Sequence, residues 1–492
     1  MFSLVSRIPI FFILASTLCL CVSAVNVPAQ SLPVAKPSAV GMDSAKLDRI
    51  EELVLADISD KKLPGAVVLV GRKGRIVYRK AFGNRSLVPT VEPMTVDTIF
   101  DVASLTKPVA TATSIMILIE EGKLQLNDTV GKFIPDLEDE QFKSVTIKQL
   151  LTHTSGLNPS FDLSEKWTGR EGMLAALKKE KLRNQPGTKF VYSDIGFIVL
   201  GEIIFRVATE NNGIRYKFNG LTNFAPQKVF SPSGMNASGF VELNFSPSDG
   251  EVSRGPLLLR QVPHRGGIET TLPDYAPTEN VRGQSSYLGS SFDGKKERGD
   301  QVLRAVVHDP TSLRMGGVAG HAGLFSTVDD LARYCQMLLN GGYLPAEDFG
   351  KNTAGKRLVY GPWRIMSPQT VAMMTRPYVV SETGATRGLG WDMNTTFSRN
   401  RGELFPLGSF GHTGFTGTSI WIDPTSETFV VFLSNRVHPD GKGDVGDLRA
   451  KVSTVVASAI TDISLEKWRE AEARYYASVN AQIAAFPKAS KP

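Results

Sequence analysis

The chain has 492 residues, of which 42% are apolar and 21% are charged. That balance is typical of a soluble globular protein and excludes a disordered or collagen-like chain. The 45 Gly and 28 Pro indicate turns and loops rather than low complexity. Lys and Arg outnumber Asp and Glu by 55 to 49, but they form no basic stripe with interleaved aromatics, so a nucleic-acid partner is not indicated.

The N-terminus has the pattern of a secretory signal. Arg7 is the only charge before a mainly apolar run at 8–22, and small residues precede an expected cleavage point after Ala24. The run is too short for a comfortable transmembrane span, and no later stretch approaches about 20 apolar residues. We therefore expect an exported protein, periplasmic or secreted, with no transmembrane segment in the mature chain.

Cysteine usage fits this expectation. Cys19 and Cys21 lie in the predicted signal, which leaves Cys335 alone in the mature chain. An internal disulfide is then impossible, so the core has to supply the stability. Cys335 falls in a helix-like stretch, where a buried small hydrophobic residue is expected rather than a nucleophile.

The patterns predict the following elements in chain order. Residues 25–41 are expected to be a tether, followed by a helix at 43–58 and a hairpin formed by 63–70 and 72–78. Predicted helices follow at 104–121, 146–152, 171–182, 194–206 and 327–340. Residues 241–305 form an irregular excursion, either a lid-like surface or, as we favour, a tolerated insertion. A second hairpin joins 417–422 to 428–433, and helices follow at 448–460 and 465–486.

Both hairpins suit a single antiparallel sheet, which predicts an α+β fold. The sheet part would take residues 42–103 and 385–485 from the two ends of the chain. A mostly helical region, 104–384, would be inserted between them. One domain, 42–485, therefore accounts for the length better than a string of separate domains.

Ser104 lies at the predicted start of the helix that runs to Glu121 and stops at Gly122. Positions three apart share a helix face, so Lys107 can bring its amine to the Ser104 hydroxyl. A serine needs a neighbouring base to act as a nucleophile, and a desolvated lysine loses its proton more easily and can provide one. The helix N-terminus would also favour developing negative charge.

The Ser-x-x-Lys spacing alone is a weak signal. It recurs at Ser59/Lys62 and at Ser464/Lys467, where charged neighbours and helix capping favour surface structure.

A second element is Tyr192, between a turn at 185–187 and a predicted helix start. It could relay a proton if a lysine ammonium lowered its pKa; alternatively, it packs while Asp194 caps the helix. A third element is the Gly-rich stretch 411–417, which leads into the second hairpin. Its small residues would let a substrate backbone approach an edge strand, although a simple turn is the alternative.

In this order and at these separations, the three elements resemble the serine β-lactamase and penicillin-binding-protein superfamily, and within it the class C-like branch. The resemblance covers about 42–485. It is supported by the stretches 150–157, 230–235 and 388–391. Further stretches resemble a β-lactamase-related group of exported serine hydrolases with poorly defined substrates: 276–279, 307–310 and 316–327.

The resemblance implies a catalytic set without a metal or other cofactor. Ser104 would be the acylated nucleophile, and Lys107 its proton acceptor or electrostatic partner. Tyr192 would pass the proton to the leaving atom and later activate water. The backbone N–H groups of Ser104 and Phe415 would form the oxyanion hole.

The resemblance also implies that Asp194, His412, Thr413 and Gly414 line the substrate cleft. Two of them depart from the family pattern. Asp194 stands where an Asn is usual and adds negative charge, whereas His412 stands where β-lactamases commonly have Lys and is largely neutral near pH 7 if unperturbed. We therefore expect β-lactams to be poor substrates and an ester, amide or peptide without a strict carboxylate requirement to be preferred.

Other classes fit less well. No two of the six histidines have the i, i+4 helical spacing, with a nearby carboxylate, that a zinc site needs. The chain also has no Gly-x-Ser-x-Gly nucleophile elbow and no nucleotide-binding glycine motif. His153, His308 and His321 are interpreted as satisfied packing histidines, with less weight for His308. Two alternatives stay open: a D-alanyl-D-alanine peptidase, and a weak or inactive penicillin-binding-like protein that binds cell-wall peptides. The physiological substrate and the oligomeric state do not follow from the sequence.

Overall fold

A computed structural model of the chain describes residues 31–165, 167–210, 220–245, 252–254, 274–279, 302–351 and 357–487. The predicted signal with Cys19 and Cys21, the first part of the predicted tether, and most of 241–305 lie outside the described residues. Among those described, no helix combines the length and apolarity that crossing a membrane requires.

The described strands are short except at the two hairpins. In chain order they are β1 Gly65–Arg72, β2 Arg75–Ser86, β3 Glu92–Pro93, β4 Phe100–Asp101, β5 Gly239–Phe240, β6 Leu243–Phe245, β7 Val252–Arg254, β8 Leu324–Ser326, β9 Tyr343–Leu344, β10 Glu347–Lys351, β11 Arg357–Tyr360, β12 Trp363–Arg364, β13 Tyr378–Val379, β14 Thr386–Arg387, β15 Asp392–Asn394, β16 Phe410–Thr413, β17 Ser419–Asp423 and β18 Thr428–Ser434.

One antiparallel sheet joins the two ends of the chain, in the order β13-β14-β15-β16-β17-β18-β1-β2-β3. The first hairpin is β1–β2 and the second is β17–β18, and β18 pairs with β1 through seven residues, from Ala66 opposite Ser434 to Arg72 opposite Thr428. The predicted sheet of strands from both ends is therefore confirmed. A smaller sheet, β4-β8-β5, carries the residues that lead to Ser104.

Both faces of the large sheet are covered, which explains why β1 is apolar throughout. Val67 and Leu69 belong to a core cluster with the inserted helices, whereas Ala66, Val68 and Val70 belong to a second cluster with the terminal helices. Alternate residues of a strand point to opposite faces, so each face of β1 contributes to a separate core.

Helices form the remaining layers. They are α1 Ser44–Ser59, α2 Thr113–Glu120, α3 Val130–Phe133, α4 Glu140–Lys143, α5 Ile147–Leu151, α6 Gly169–Lys179, α7 Asp194–Glu210, α8 Gly220–Ala225, α9 Ser231–Ser233, α10 Pro310–Arg314, α11 Val328–Leu339, α12 Pro368–Thr375, α13 Gly446–Ser458 and α14 Leu465–Ile483. Helices α1 and α13 pack on one face of the sheet and α11 on the other. The α+β prediction is confirmed.

Three details differ from the sequence expectations. The predicted helix 104–121 consists of a 3₁₀ turn at Ala103–Leu105, a π-helix at Lys107–Ala112 and then α2. Part of the predicted tether, 31–41, packs on the domain: Leu32 is buried and the Ala35 N–H donates to the Ile76 carbonyl. The large sheet also begins its second part at Tyr378, before residue 385.

Candidate active site

Ser104 lies in a tight turn directly after β4. The preceding Ala103 has a positive φ of 48°, which non-glycine residues seldom adopt outside functional turns. The buried carboxylate of Asp101 holds this conformation, because its Oδ1 accepts the Ala103 N–H at 2.9 Å. Asp101 also accepts the His308 N–H at 2.7 Å. The turn is thus fixed by a carboxylate that the sequence reasoning did not single out.

The loop after β16 also binds the turn that leads to Ser104. The Thr416 hydroxyl donates to the Asp101 carbonyl at 2.7 Å, and the Thr418 hydroxyl donates to the Val102 carbonyl at 3.0 Å. A Cβ on Gly414 would lie 2.5 Å from the same Val102 carbonyl oxygen, so only glycine fits there. The end of β16 and Ser104 therefore belong to one site.

Lys107 contacts Ser104 in the geometry that the spacing predicted. Its Nζ lies 2.9 Å from Ser104 Oγ, 2.7 Å from Asp194 Oδ1 and 3.2 Å from the His321 carbonyl oxygen. Ser104 Oγ and the His321 carbonyl oxygen accept hydrogen bonds from the amine, whereas Asp194 Oδ1 is its ion-pair contact. The Lys107 side chain is fully buried, so its amine does not contact bulk water.

The charge of Lys107 differs from the sequence expectation. Burial alone would lower its pKa, but the Asp194 carboxylate and the Tyr192 side chain outweigh burial and raise the pKa above its usual value. The prediction that desolvation would make Lys107 easy to deprotonate is therefore wrong for the resting site. Lys107 is an ammonium at neutral pH because Asp194 is its ion-pair partner.

Tyr192 lies in the segment before α7, next to the amine of Lys107. The Nζ of Lys107 is 4.9 Å from the centroid of the Tyr192 ring. The ring stacks on His153 at 4.4 Å between centroids and contacts Phe397 at 5.1 Å. Ser193, not Asp194, caps the helix, since its Oγ accepts the Gly196 N–H at 3.1 Å. The Asp194 side chain is thereby available to Lys107.

His412 lies in β16 beside Tyr192, with ring centroids 6.0 Å apart. Its Nδ1 is 2.8 Å from the Thr413 carbonyl oxygen. Burial, and then the nearby positive charges of Arg387 and Lys107, hold its pKa well below the usual value. The imidazole is therefore neutral, and the site has no cation at this position.

Residues 309 and 321 join the site although the sequence pointed elsewhere. His321 Nε2 lies 2.8 Å from Asp309 Oδ1, and the pKa of Asp309 is about 2, because the His321 contact, the Ser312 N–H and Lys107 outweigh burial. The expectation of a fully satisfied packing histidine is wrong for His321 and for His153. The buried His321 Nδ1 and His153 Nε2 have no hydrogen-bond partner among the described residues.

Ligand atoms of Asp194, Asp309 and His321 lie within 4.8 Å of one another, a spacing that could hold a metal ion. Lys107 Nζ, however, is already 2.7 Å from Asp194 Oδ1. A buried ammonium thus supplies the positive charge that these acidic groups require, and a dication beside it would be repelled.

Two exposed aromatic side chains lie close to residues of this cluster. Phe397 is 45% exposed next to Tyr192. Phe415 is 47% exposed, stacks on His308 at 5.7 Å and lies 4.5 Å from the Arg436 guanidinium. The structure therefore brings together Ser104, Lys107, Tyr192, Asp194 and His412 through direct contacts, and Thr413, Gly414 and Phe415 follow along the strand end.

Sequence comparison assigns the chain to a family. The model of the "Beta-lactamase" family matches residues 47–453. The chain belongs to the β-lactamase family. Membership confirms the resemblance to this superfamily and supports serine hydrolase activity in general terms.

Relatives and solved structures of this family agree with the assignment. A "Putative D-alanyl-D-alanine carboxypeptidase" of Salmonella agona (strain SL483) is 31% identical over 438 residues, which cover 85% of this chain and 88% of that protein. The homologue of Salmonella enteritidis PT4 (strain P125109), with the same description, is equally similar.

Two solved structures share the fold. A class C β-lactamase is 20% identical, with a TM-score of 0.57 over 86% of this chain and 98% of that chain. EstCE1, described as a hydrolase with promiscuous acyltransferase activity, is 23% identical, with a TM-score of 0.55 over 84% and 99%. Identities this low support the common fold and nothing finer.

Proposed function

We propose that this β-lactamase-family protein is an exported serine hydrolase that forms an acyl-enzyme on Ser104. The observation that carries the proposal is the contact of 2.9 Å between Ser104 Oγ and the buried Nζ of Lys107. The two other Ser-x-x-Lys pairs provide a comparison. The Ser464 Oγ accepts the Lys467 N–H as a helix cap, and the Lys62 amine binds Asp57.

The raised pKa of Lys107 supports one division of roles among these residues. As an ammonium it is not a resting-state base, so it serves as an electrostatic partner of the reacting oxygens. Tyr192 then relays the proton: its phenol oxygen accepts the Ser104 proton while its own proton passes to the leaving atom. In the second half-reaction Tyr192 activates the water that releases the acyl group.

The developing oxyanion would bind the backbone N–H groups of Ser104 and Phe415. The close approach of Gly414 to the Val102 carbonyl supports this assignment, because it brings the two segments that carry these donors against each other. Asp194, His412 and Thr413 would line the same cleft. The hydrogen bonds from Thr416 and Thr418 to the turn before Ser104 would preorganise these donors.

An ester, amide or peptide bond without a strict carboxylate requirement is the proposed substrate. The neutral His412 supports this choice, since it lacks the charge that a lysine would offer to a carboxylate. The relatives described as D-alanyl-D-alanine carboxypeptidases make a peptide ending in D-alanine the second candidate. A substrate panel of nitrophenyl esters, β-lactams and D-alanine peptides separates the two. The predicted signal would direct export and be cleaved near Ala24, leaving a periplasmic or secreted protein.

Covalent labelling tests the proposal against a non-catalytic cell-wall-peptide binder. A fluorophosphonate or penicillin probe followed by peptide mass spectrometry is expected to place the adduct on Ser104. Ser104→Ala should abolish the adduct and Lys107→Ala should suppress it, whereas Ser59→Ala, which alters the exposed Ser-x-x-Lys pair, should leave it intact. No adduct on Ser104 with either probe would favour the binder.

A further inference from the structure

His153 makes three contacts with the segment that carries Tyr192. Its carbonyl oxygen accepts the Val191 N–H at 2.9 Å, and its Nδ1 accepts the Ser193 N–H at 3.0 Å. Its ring stacks on Tyr192 itself, with centroids 4.4 Å apart and the planes inclined by 27°. One residue thus binds the backbone on both sides of Tyr192 and the side chain between them.

The conformation of His153 is unusual. Its φ is 57°, in the left-handed region, where histidine is found more often than most non-glycine residues. The turn is held from behind, since the Thr154 N–H donates to the Gln149 carbonyl and the Gly187 N–H donates to the Thr154 carbonyl. Because such a backbone is costly, it persists only where its surroundings determine it.

The imidazole also packs on Phe197 of α7, with ring centroids 5.0 Å apart and the planes inclined by 34°. The residue is only 1% exposed. The ring is therefore held between the Tyr192 side chain and the helix that begins at Asp194. Any movement of the ring would displace Tyr192 or α7.

The hydrogen bond defines the protonation state of His153. Because Nδ1 accepts the Ser193 N–H, the ring proton is on Nε2, which has no hydrogen-bond partner among the described residues. Burial, and then the positive charges of Arg387 and Lys107 and the neighbouring His412, keep its pKa well below the usual value. The ring is consequently a neutral acceptor over the range in which enzymes are assayed.

We propose that His153 is a positioning residue that fixes Tyr192 against the Lys107 ammonium. It does not touch the Ser104 hydroxyl in the resting site; its effect passes through the orientation of the phenol. This inference rests on the proposed function of Tyr192 as the proton relay. It also gives the stretch 150–157 a role, since that stretch carries the clamp on the Tyr192 segment.

Two variants separate the hydrogen bond from the stacked ring. His153→Asn keeps a side-chain acceptor and tolerates positive φ, but it lacks the ring. His153→Phe keeps a ring and lacks the acceptor. Each should lower kcat for a nitrophenyl ester between about 10-fold and 100-fold with a smaller change in KM, because misplacing a reacting group by about 1 Å costs on the order of 100-fold.

His438→Asn is the matched control. His438 is also buried, and its Nε2 accepts the Leu87 N–H at 2.9 Å. Its Nδ1 is 2.8 Å from the Thr278 carbonyl oxygen, so it is held between loops away from Tyr192. This control should reproduce any loss of stability that comes from removing a buried imidazole. Its kcat should nevertheless stay within about 2-fold of that of the unmodified protein.

The deciding experiment is a double-mutant cycle with Tyr192→Phe, with fluorophosphonate labelling of Ser104 measured in parallel. If His153 acts through Tyr192, each His153 variant should lower kcat less than 2-fold further in the Tyr192→Phe background. If the same 10-fold to 100-fold loss recurs there, His153 acts on something else and the inference is overturned, while the proposed function stands.

The remaining outcomes are equally decisive. If Tyr192→Phe turns over the ester normally, Tyr192 is not the relay, and both that role and the inference are overturned. If Ser104 fails to label in the unmodified protein, the acyl-enzyme proposal is what fails. Should His153→Phe not fold, the cycle with His153→Asn alone gives the same test, since asparagine suits the backbone at this position.

Discussion

The ion pair between Lys107 and Asp194 leads to a prediction about pH. Asp194→Asn removes a carboxylate that lies 2.7 Å from the buried amine. An opposite charge this close favours the charged form by about 1–3 pKa units, or about 1.4–4 kcal/mol. Burial of the amine remains, and burial lowers its pKa, so the variant should hold its proton much less firmly.

The direction of the effect follows from the role given to the ammonium. If charged Lys107 is the active form, kcat/KM falls as the pH rises through the pKa of Lys107. In the unmodified protein that fall lies above the usual lysine range, whereas in Asp194→Asn it should occur about 1–3 pH units lower. The assay is the pH dependence of kcat/KM for a nitrophenyl ester, measured from about pH 6 to about pH 11.

A matched control is Asp329→Asn, which removes a carboxylate from another ion pair of 2.7 Å, with Arg79, outside the site. It should leave the pH profile unchanged. An alkaline limb that does not move in Asp194→Asn would refute the reasoning. A loss on the acid side that shifts instead would show that the neutral amine of Lys107 is the active form.

Three further predictions concern the same site. Gly414→Ala should lower kcat by on the order of 100-fold, since the new Cβ would lie 2.5 Å from the Val102 carbonyl oxygen and 2.1 Å from Thr418 Oγ1; steady-state kinetics with a circular-dichroism check on folding measures this, and normal kcat would contradict it. The kcat/KM for an ester that carries a carboxylate, divided by the kcat/KM for a neutral ester, should stay constant from about pH 5.5 to 8, because the lowered pKa of His412 keeps the imidazole neutral. A ratio that rises as the pH falls would show that His412 becomes protonated in this range. Cys335 should resist iodoacetamide at pH 8.5 until the protein is unfolded, because burial raises its thiol pKa and excludes the reagent; alkylation of the native protein, detected by peptide mapping, would disprove its burial.

Local patterns were sufficient to predict the sheet and the Ser104–Lys107 contact. The hairpins β1–β2 and β17–β18 have apolar runs around short turns, and Ser104 and Lys107 are only three residues apart. Even there, the backbone differs, since Lys107 begins a π-helix. The Pro108 carbonyl accepts from the Thr113 N–H, which is the wider spacing of a π-turn.

The charge state of the site could not be predicted in the same way. The charge of Lys107 depends on Asp194 and Tyr192, and another of its partners, the His321 carbonyl, is 214 positions away in the chain. The clamp from His153 to Ser193 similarly joins residues 40 positions apart. Such contacts depend on how α5, α7 and the loop before β8 pack together. The periodicity of the sequence does not predict this packing.

The buried cation Arg387 illustrates the same limit. Its Nη1 lies 3.2 Å from Asp392 Oδ1 across the turn between β14 and β15. It faces the site closely enough to help keep His153 and His412 neutral. Its place in the sequence, directly before Gly388, indicates no contact with these histidines.

The proposed acyl-enzyme on Ser104 can be tested by detecting the acyl group itself during turnover. The protein would be mixed with a slowly hydrolysed ester, quenched with acid after milliseconds to seconds, digested and mapped by mass spectrometry. An ester-derived acyl mass is expected on the peptide that contains Ser104. Both this mass and ester turnover should be absent in Ser104→Ala. An acyl group on another residue, or turnover that persists in Ser104→Ala, would contradict the proposal.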